Sequence, residues 1–246
     1  MASAQARLPA GVKLILFDLH GTLRQCVPSV HESLLAFAQD IGYSVAPKAE
    51  RAGILWSKVY WASTDDWQNS AAEADGPFWM GYCRQYLAAM GAPEDRLDEM
   101  ALNISHKFAQ EYVPRLALVP GAKQLLWELR EMGYKLALLS NQREPLNGLA
   151  IELGIIEHFD FTLAAGQVGS RKPSPLIFQQ AVRMAGVQPE EAVHVGDNYY
   201  SDGVGAQRAG VFPVLFDEQG IFAQIAHDCW AVRQLVDLPA LLPAEE

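Results

Sequence analysis

The chain has 246 residues, half of them hydrophobic, a formal net charge of −10 and three cysteines. The length allows one large domain, or one domain carrying an insertion. The acidic balance and the lack of a Lys/Arg run disfavour a protein that grips nucleic-acid backbones, and Cys26, Cys83 and Cys229 are too scattered for a disulfide framework or a zinc cluster.

The first apolar run, Val12 and Leu14 to Phe17, is too short for a signal peptide or a membrane span and reads as a buried parallel strand. It delivers Asp18 to a polar turn, Asp18-Leu19-His20-Gly21-Thr22. From about 28 to 113 the sequence reads as four helices, roughly 29–40, 47–62, 77–90 and 93–112, with no convincing strand. Pro47, Gly76-Pro77, Gly91 and Pro93 punctuate them. Apolar residues recur at helical spacing in Phe78, Tyr82 and Tyr86, and in Leu97, Ala101, Ile104 and Phe108. Trp56, Trp61, Trp67, Phe78 and Trp79 load this block with aromatic rings. Most are expected to pack a small helical module, with one or two lining a pocket as the minority alternative.

Beyond residue 119, helical and strand patterns alternate. Pro120-Gly121 precedes an amphipathic helix through Leu125, Leu126 and Leu129 that Gly133 stops. Strand Lys135 to Leu139 ends at Ser140-Asn141. A helix near 145–153 and a strand from Phe159 to Leu163 follow. Ser174 as N-cap and Pro175 in the first turn start a helix reaching about Ala185. Strand Ala192 to Val195 ends at Gly196-Asp197, and Val211 to Phe216 is a further strand. This alternation predicts an α/β fold with a parallel sheet and right-handed crossovers.

In such sheets ligands bind outside the carboxyl ends of the strands. Asp18, Ser140-Asn141 and Asp197 each end an apolar strand, so they are expected to converge although they are far apart in sequence. With Lys172, ahead of the Ser174 helix, and Asp202, they complete four motifs: Asp18-Leu19-His20-Gly21-Thr22, Ser140-Asn141, Arg171-Lys172-Pro173, and Gly196-Asp197 through Asp202. The set resembles the haloacid dehalogenase-like hydrolases, mostly metal-dependent phosphatases. The helical block after the first motif is similar to the cap of their phosphoglycolate-phosphatase-like branch. The resemblance implies a Rossmann-like parallel-sheet core (1–27 and 114–246) with an inserted all-helical cap (28–113).

It further implies Asp18 as the nucleophile that forms an aspartyl-phosphate. Asp18, Asp197 and the backbone carbonyl of His20 are the implied ligands of Mg²⁺, a cation that offsets repulsion between carboxylates and phosphate. Ser140 and Asn141 would donate to the phosphoryl group, Lys172 would neutralise it and Asp18, and Asp202 would orient Lys172 or metal-bound water. By itself, Asp202 could equally cap the following helix. His194 reads as a core-facing strand residue.

His20 departs from the family pattern, which has an acid/base Asp there. An imidazole in that role should titrate near neutrality. Three readings follow: a phosphatase using His20 in place of that Asp, a catalytically silent binding or regulatory protein, and, less favoured, a dehalogenase. The implied setting is cytoplasmic, with a small phosphorylated substrate and neither nucleic acid nor membrane as partner. Arg24, His31, Trp56 and Trp61 are the candidates for substrate selection.

Overall fold

Alternate residues of β1 (Leu14–Phe17) serve two different cores. Ile15 and Phe17 join a cluster containing Leu125, Leu126 and Leu129, while Leu14 and Leu16 join one containing Ile177, Phe178 and Val182. Successive strand side chains point to opposite faces, so a strand that is apolar throughout must be covered on both. β4 (Lys135–Ser140) divides the same way: Leu136 and Leu138 lie on the first face, Ala137 and Leu139 on the second.

The computed structural model describes residues 8–64 and 76–243. Trp67 lies outside them. The chain divides into two compact units, Met1–Gln25 with Ala117–Glu246, and Cys26–Leu116.

The first unit holds a six-stranded sheet in the order β5-β4-β1-β6-β7-β8, with every neighbouring pair parallel. Its other strands are β5 (Phe161–Ala164), β6 (Ala192–Gly196), β7 (Phe212–Phe216) and β8 (Trp230–Val232). The helices α5 (Ala122–Glu131), α6 (Asn147–Glu152), α7 (Ala165–Val168), α8 (Pro175–Ala185) and α9 (Val204–Arg208) link or follow them. Ser174 caps α8, its hydroxyl accepting from Leu176 N. β1 lies between β4 and β6: the chain runs from β1 outward through β4 to β5, then crosses back to β6 and runs outward the other way. That reversal opens a crevice at the carboxyl end of β1.

Two features depart from the expected layout. The segment after Thr22 forms β2 (Arg24–Val27), which pairs with β3 (Arg115–Leu118) as a separate two-stranded sheet. β2 carries no apolar run, β3 offers only Leu116-Ala117-Leu118, and none of their eight residues is fully buried, so neither stands out as a core strand. β8 was also not anticipated, because three residues give too little periodicity.

The second unit contains α1 (Val30–Asp40), α2 (Pro47–Ser63), α3 (Pro77–Ala89) and α4 (Leu97–Glu111). A 3₁₀ turn, Glu94–Arg96, leads into α4 and takes up the start of the helix expected at 93. Ser29 and Glu32 form a reciprocal capping box on α1. Trp56 stacks on Tyr60 at 5.0 Å, and Trp61, Trp79 and Tyr86 surround Tyr82 at 5.5, 5.6 and 6.0 Å. These rings pack one another, as offset and edge-on pairs prefer. His31 belongs to the same cluster, bonding Tyr86 Oη through Nδ1 and Glu50 through Nε2 at 3.1 Å.

Candidate active site

Asp18 follows the last residue of β1 and is still tied to the sheet, its N–H donating to Val195 O at 2.9 Å. The turn then closes on itself: Leu23 N and Arg24 N both donate to Leu19 O, and Gly21 N donates to Arg24 O. Thr22 Oγ1 donates to Asp18 Oδ2 at 3.2 Å. Gly21 has φ +89°, and a Cβ there would lie 2.1 Å from Asp197 Oδ2. Glycine is therefore required twice over, by its backbone conformation and by the approach of the second carboxylate.

Lys172 is the centre of the site. It is 2% exposed, and Nζ lies 2.5 Å from Asp18 Oδ1, 2.6 Å from Asp202 Oδ1 and 3.5 Å from Leu139 O. Three donors thus meet three oxygens. A buried ammonium is tolerated when paired in this way. Burial alone would lower its pKa, but Asp18 and Asp202 outweigh burial and hold it above the ordinary lysine value.

Asp202 sits in a π-helical turn, Tyr199–Gly203, ahead of α9, and accepts from Asn198 N at 3.0 Å. It thus meets both Lys172 and the N–H of Asn198, the residue that caps this turn. Gly196 permits this, because a Cβ there would stand 2.3 Å from Asp202 Cγ. Burial would raise the Asp202 pKa, but Lys172 and His194 hold it well below the usual range.

His194 is the residue that sequence reading undervalued. It does face the core, edge-on to Phe178 at 4.9 Å, but its Nε2 also lies 3.0 Å from Asp202 Oδ1. Burial lowers its pKa and keeps it neutral, so Nε2–H donates to the carboxylate. The signal was its place two residues before Gly196 on a buried strand.

Asp18, Asp197 and Asp202 each offer a carboxylate oxygen, and these atoms lie within 4.8 Å of one another. Three carboxylates crowd around one buried ammonium, and a divalent cation would offset the repulsion among them. Burial, followed by Asp202 and Asp197, pushes the Asp18 carboxyl up to about 7 against the pull of Lys172. An all-oxygen donor set of this charge suits a hard cation, so the residues fit a bound metal ion.

Ser140, 1% exposed at the end of β4, accepts from Gln142 N at 3.3 Å. Asn141 was expected to donate to a phosphoryl group. Its amide is engaged at both ends by Lys172, donating to the backbone O at 2.9 Å and accepting from the backbone N at 2.7 Å. It therefore fixes the loop that delivers the ammonium.

His20 keeps solvent contact, but both ring nitrogens are engaged. Arg24 Nη1 lies 2.6 Å from Nδ1, and Gln142 Oε1 lies 3.0 Å from Nε2. A guanidinium can only donate, so Nδ1 accepts and the proton sits on Nε2. Partial loss of hydration around the ring and the Arg24 charge hold its pKa below the ordinary histidine value. This is below the near-neutral value expected for an acid/base imidazole.

A family model described as haloacid dehalogenase-like hydrolase matches residues 12–210. Haloacid dehalogenase-like hydrolase domain-containing protein 3 of Homo sapiens is 29% identical over 95% of this chain and 93% of its own length. A phosphoserine phosphatase of Thermus thermophilus is 34% identical over 84% of this chain and 89% of its own. The fold is also that of a crystal structure titled as a predicted phosphoglycolate phosphatase from Haemophilus somnus. That match has a TM-score of 0.58 and 20% identity, and covers 94% of this chain and 98% of the other. With the family model spanning the whole motif set and the four motifs converging on one sheet edge, the chain belongs to the haloacid dehalogenase-like hydrolases.

Proposed function

We propose that the protein is a Mg²⁺-dependent phosphatase of small phosphomonoesters, acting through an aspartyl-phosphate on Asp18. The observation that carries this reading is the clustering of Asp18, half-buried Asp197 and Asp202, with buried Lys172 paired to Asp18 and Asp202. The Thermus relative's phosphatase name supports it. Asp18, Asp197 and the His20 carbonyl would hold Mg²⁺. Bound there, the cation supplies positive charge to the phosphoryl oxygens.

Asp18 attacks phosphorus in line, the ester P–O bond breaks, and the leaving alkoxide takes a proton. Water then attacks the phosphorus of the aspartyl-phosphate, releasing phosphate and restoring the carboxylate. Thr22 and Lys172 hold the two Asp18 oxygens in place. Asp202 and His194 hold Lys172, which offsets charge on the phosphoryl group, and the Ser140 hydroxyl donates to it. His20 takes the acid/base position with both nitrogens engaged, so its imidazole carries protons poorly. The leaving group then depends on water for its proton, and the rate follows leaving-group acidity. The net charge and the absence, among the described residues, of a helix long and apolar enough to cross a membrane accord with a cytoplasmic enzyme acting on a diffusing metabolite.

Phosphate release from an aryl phosphate should require Mg²⁺ and stop with a chelator. In Asp197→Asn, calorimetry should show Mg²⁺ affinity reduced by at least about tenfold, since even partners of metal ligands are worth about 10–100-fold. Mg²⁺-independent turnover, or unchanged affinity in the variant, would refute the metal assignment.

The same site makes stability depend on pH. Asp18 has a raised folded-state pKa, from 3.8 to about 7, so between these values the native state binds more protons than the unfolded chain. Its contribution to metal-free stability is fully present below 3.8 and is lost as pH rises to about 7. Asp202 acts oppositely, stabilising above the ordinary carboxylate value and losing that contribution as pH falls below it. Mg²⁺ binds the ionised carboxylate, so the rise in Tm that it causes should be larger at pH 8 than at pH 5. An equal rise at both would show that Asp18 is ionised throughout.

A further inference from the structure

Among the described residues, Arg24 is a half-buried cation without a counter-charge. Arg84 pairs with Glu94 and Asp98, and Arg130 with Asp160, but among the described residues Arg24 has no carboxylate within ion-pair distance. Its Nη1 is spent on a neutral imidazole, its Nε is buried with no hydrogen-bond partner, and its Nη2 makes no hydrogen bond among the described residues. A guanidinium left in this state is costly, because its lost hydration is not replaced.

The position is fixed. Arg24 N and O are both bound within the turn that carries the nucleophile, to Leu19 O at 2.8 Å and from Gly21 N at 2.7 Å. The row Arg24–His20–Gln142 then joins the loop after β1 to the loop after β4, with hydrogen bonds of 2.6 and 3.0 Å. Both loops leave the carboxyl end of the sheet, where Asp18 and Ser140 lie.

We infer that Arg24 selects substrates with a second oxyanion, a carboxylate or another phosphate, beside the phosphoester, which the guanidinium engages through Nη2. This rests on the phosphatase reading above and narrows it to a substrate class. Guanidinium suits the task because it stays charged and donates a charge-assisted hydrogen bond to an oxyanion. Because Arg24 also holds His20, its removal affects every substrate. The signature of recognition is therefore the ratio between substrates.

The test uses three alkyl phosphates of equal chain length ending in a carboxylate, a phosphate or a carboxamide, with an aryl phosphate as control, and native, Arg24→Gln and Arg24→Lys proteins. The native protein should prefer the charged substrates over the carboxamide by about 10–100-fold in kcat/KM, mainly through KM. The carboxylate and phosphate arms show which oxyanion is favoured. Arg24→Gln should collapse that ratio towards one, and Arg24→Lys should recover part of it. A native protein without preference, or a variant that slows all three substrates by one factor, would overturn the inference. Mg²⁺-dependent turnover of the aryl phosphate would meanwhile leave the phosphatase reading standing. No turnover of any phosphate would overturn both.

Discussion

Asp18→Asn should abolish phosphate release, by about 10⁴-fold or more, while the protein remains folded. The carboxylate is the atom group that forms the new bond to phosphorus, and an amide oxygen is a far weaker nucleophile. Removal of a nucleophile in other enzymes costs up to about 10⁶-fold in kcat. Asn is nearly isosteric, so Lys172 keeps an oxygen beside Nζ and retains Asp202 at 2.6 Å, which argues against collapse of the site. Circular dichroism and a melting curve check the fold, and burst kinetics with the native protein check for the covalent intermediate. Retention of more than a tenth of native turnover in a folded Asp18→Asn protein would rule Asp18 out as nucleophile.

His20→Asp should raise turnover of an alkyl phosphate by about 10²–10⁴-fold, the usual range for a positioned general acid/base. The native imidazole has Nδ1 turned to Arg24 and Nε2 to Gln142, so it must break a hydrogen bond before it can move a proton. A carboxylate would instead pair with Arg24 and present a free oxygen. An aryl phosphate, whose leaving group needs little protonation, should gain much less, so the native protein should show a large aryl-to-alkyl ratio that narrows in the variant. His20→Ala separates the alternatives: if the imidazole is an effective acid/base after all, alkyl turnover should fall by a similar factor. Equal alkyl rates for native, His20→Ala and His20→Asp would make the residue a bystander.

Much of the fold was legible because local chemistry and burial agree there. Leu14 to Phe17 can only be a strand covered on both faces, and Ser174-Pro175 starts a helix wherever it stands. The helices of the second unit follow from apolar spacing between proline and glycine stops. β2, β3 and β8 were illegible for the opposite reason. Their four, four and three residues form strands because a neighbour supplies hydrogen bonds, and a partner far along the chain for β2 and β3, or beyond a loop for β8, leaves no trace in local periodicity.

The sequence by itself determined which residues can do chemistry: Asp18, Ser140, Lys172, Asp197 and Asp202 stand at strand ends or loops in a recognisable order. Only the tertiary structure decided how they are connected. It spends Asn141 on the Lys172 backbone and draws His194 to Asp202. It also pins His20 between Arg24 and Gln142, where lost hydration and the Arg24 charge lower its affinity for a proton. Residue type sets what a side chain can donate or accept, and sequence order constrains which strand carries it. Its partner, and hence its charge, is set by through-space distances of a few ångströms between segments that only folding brings together.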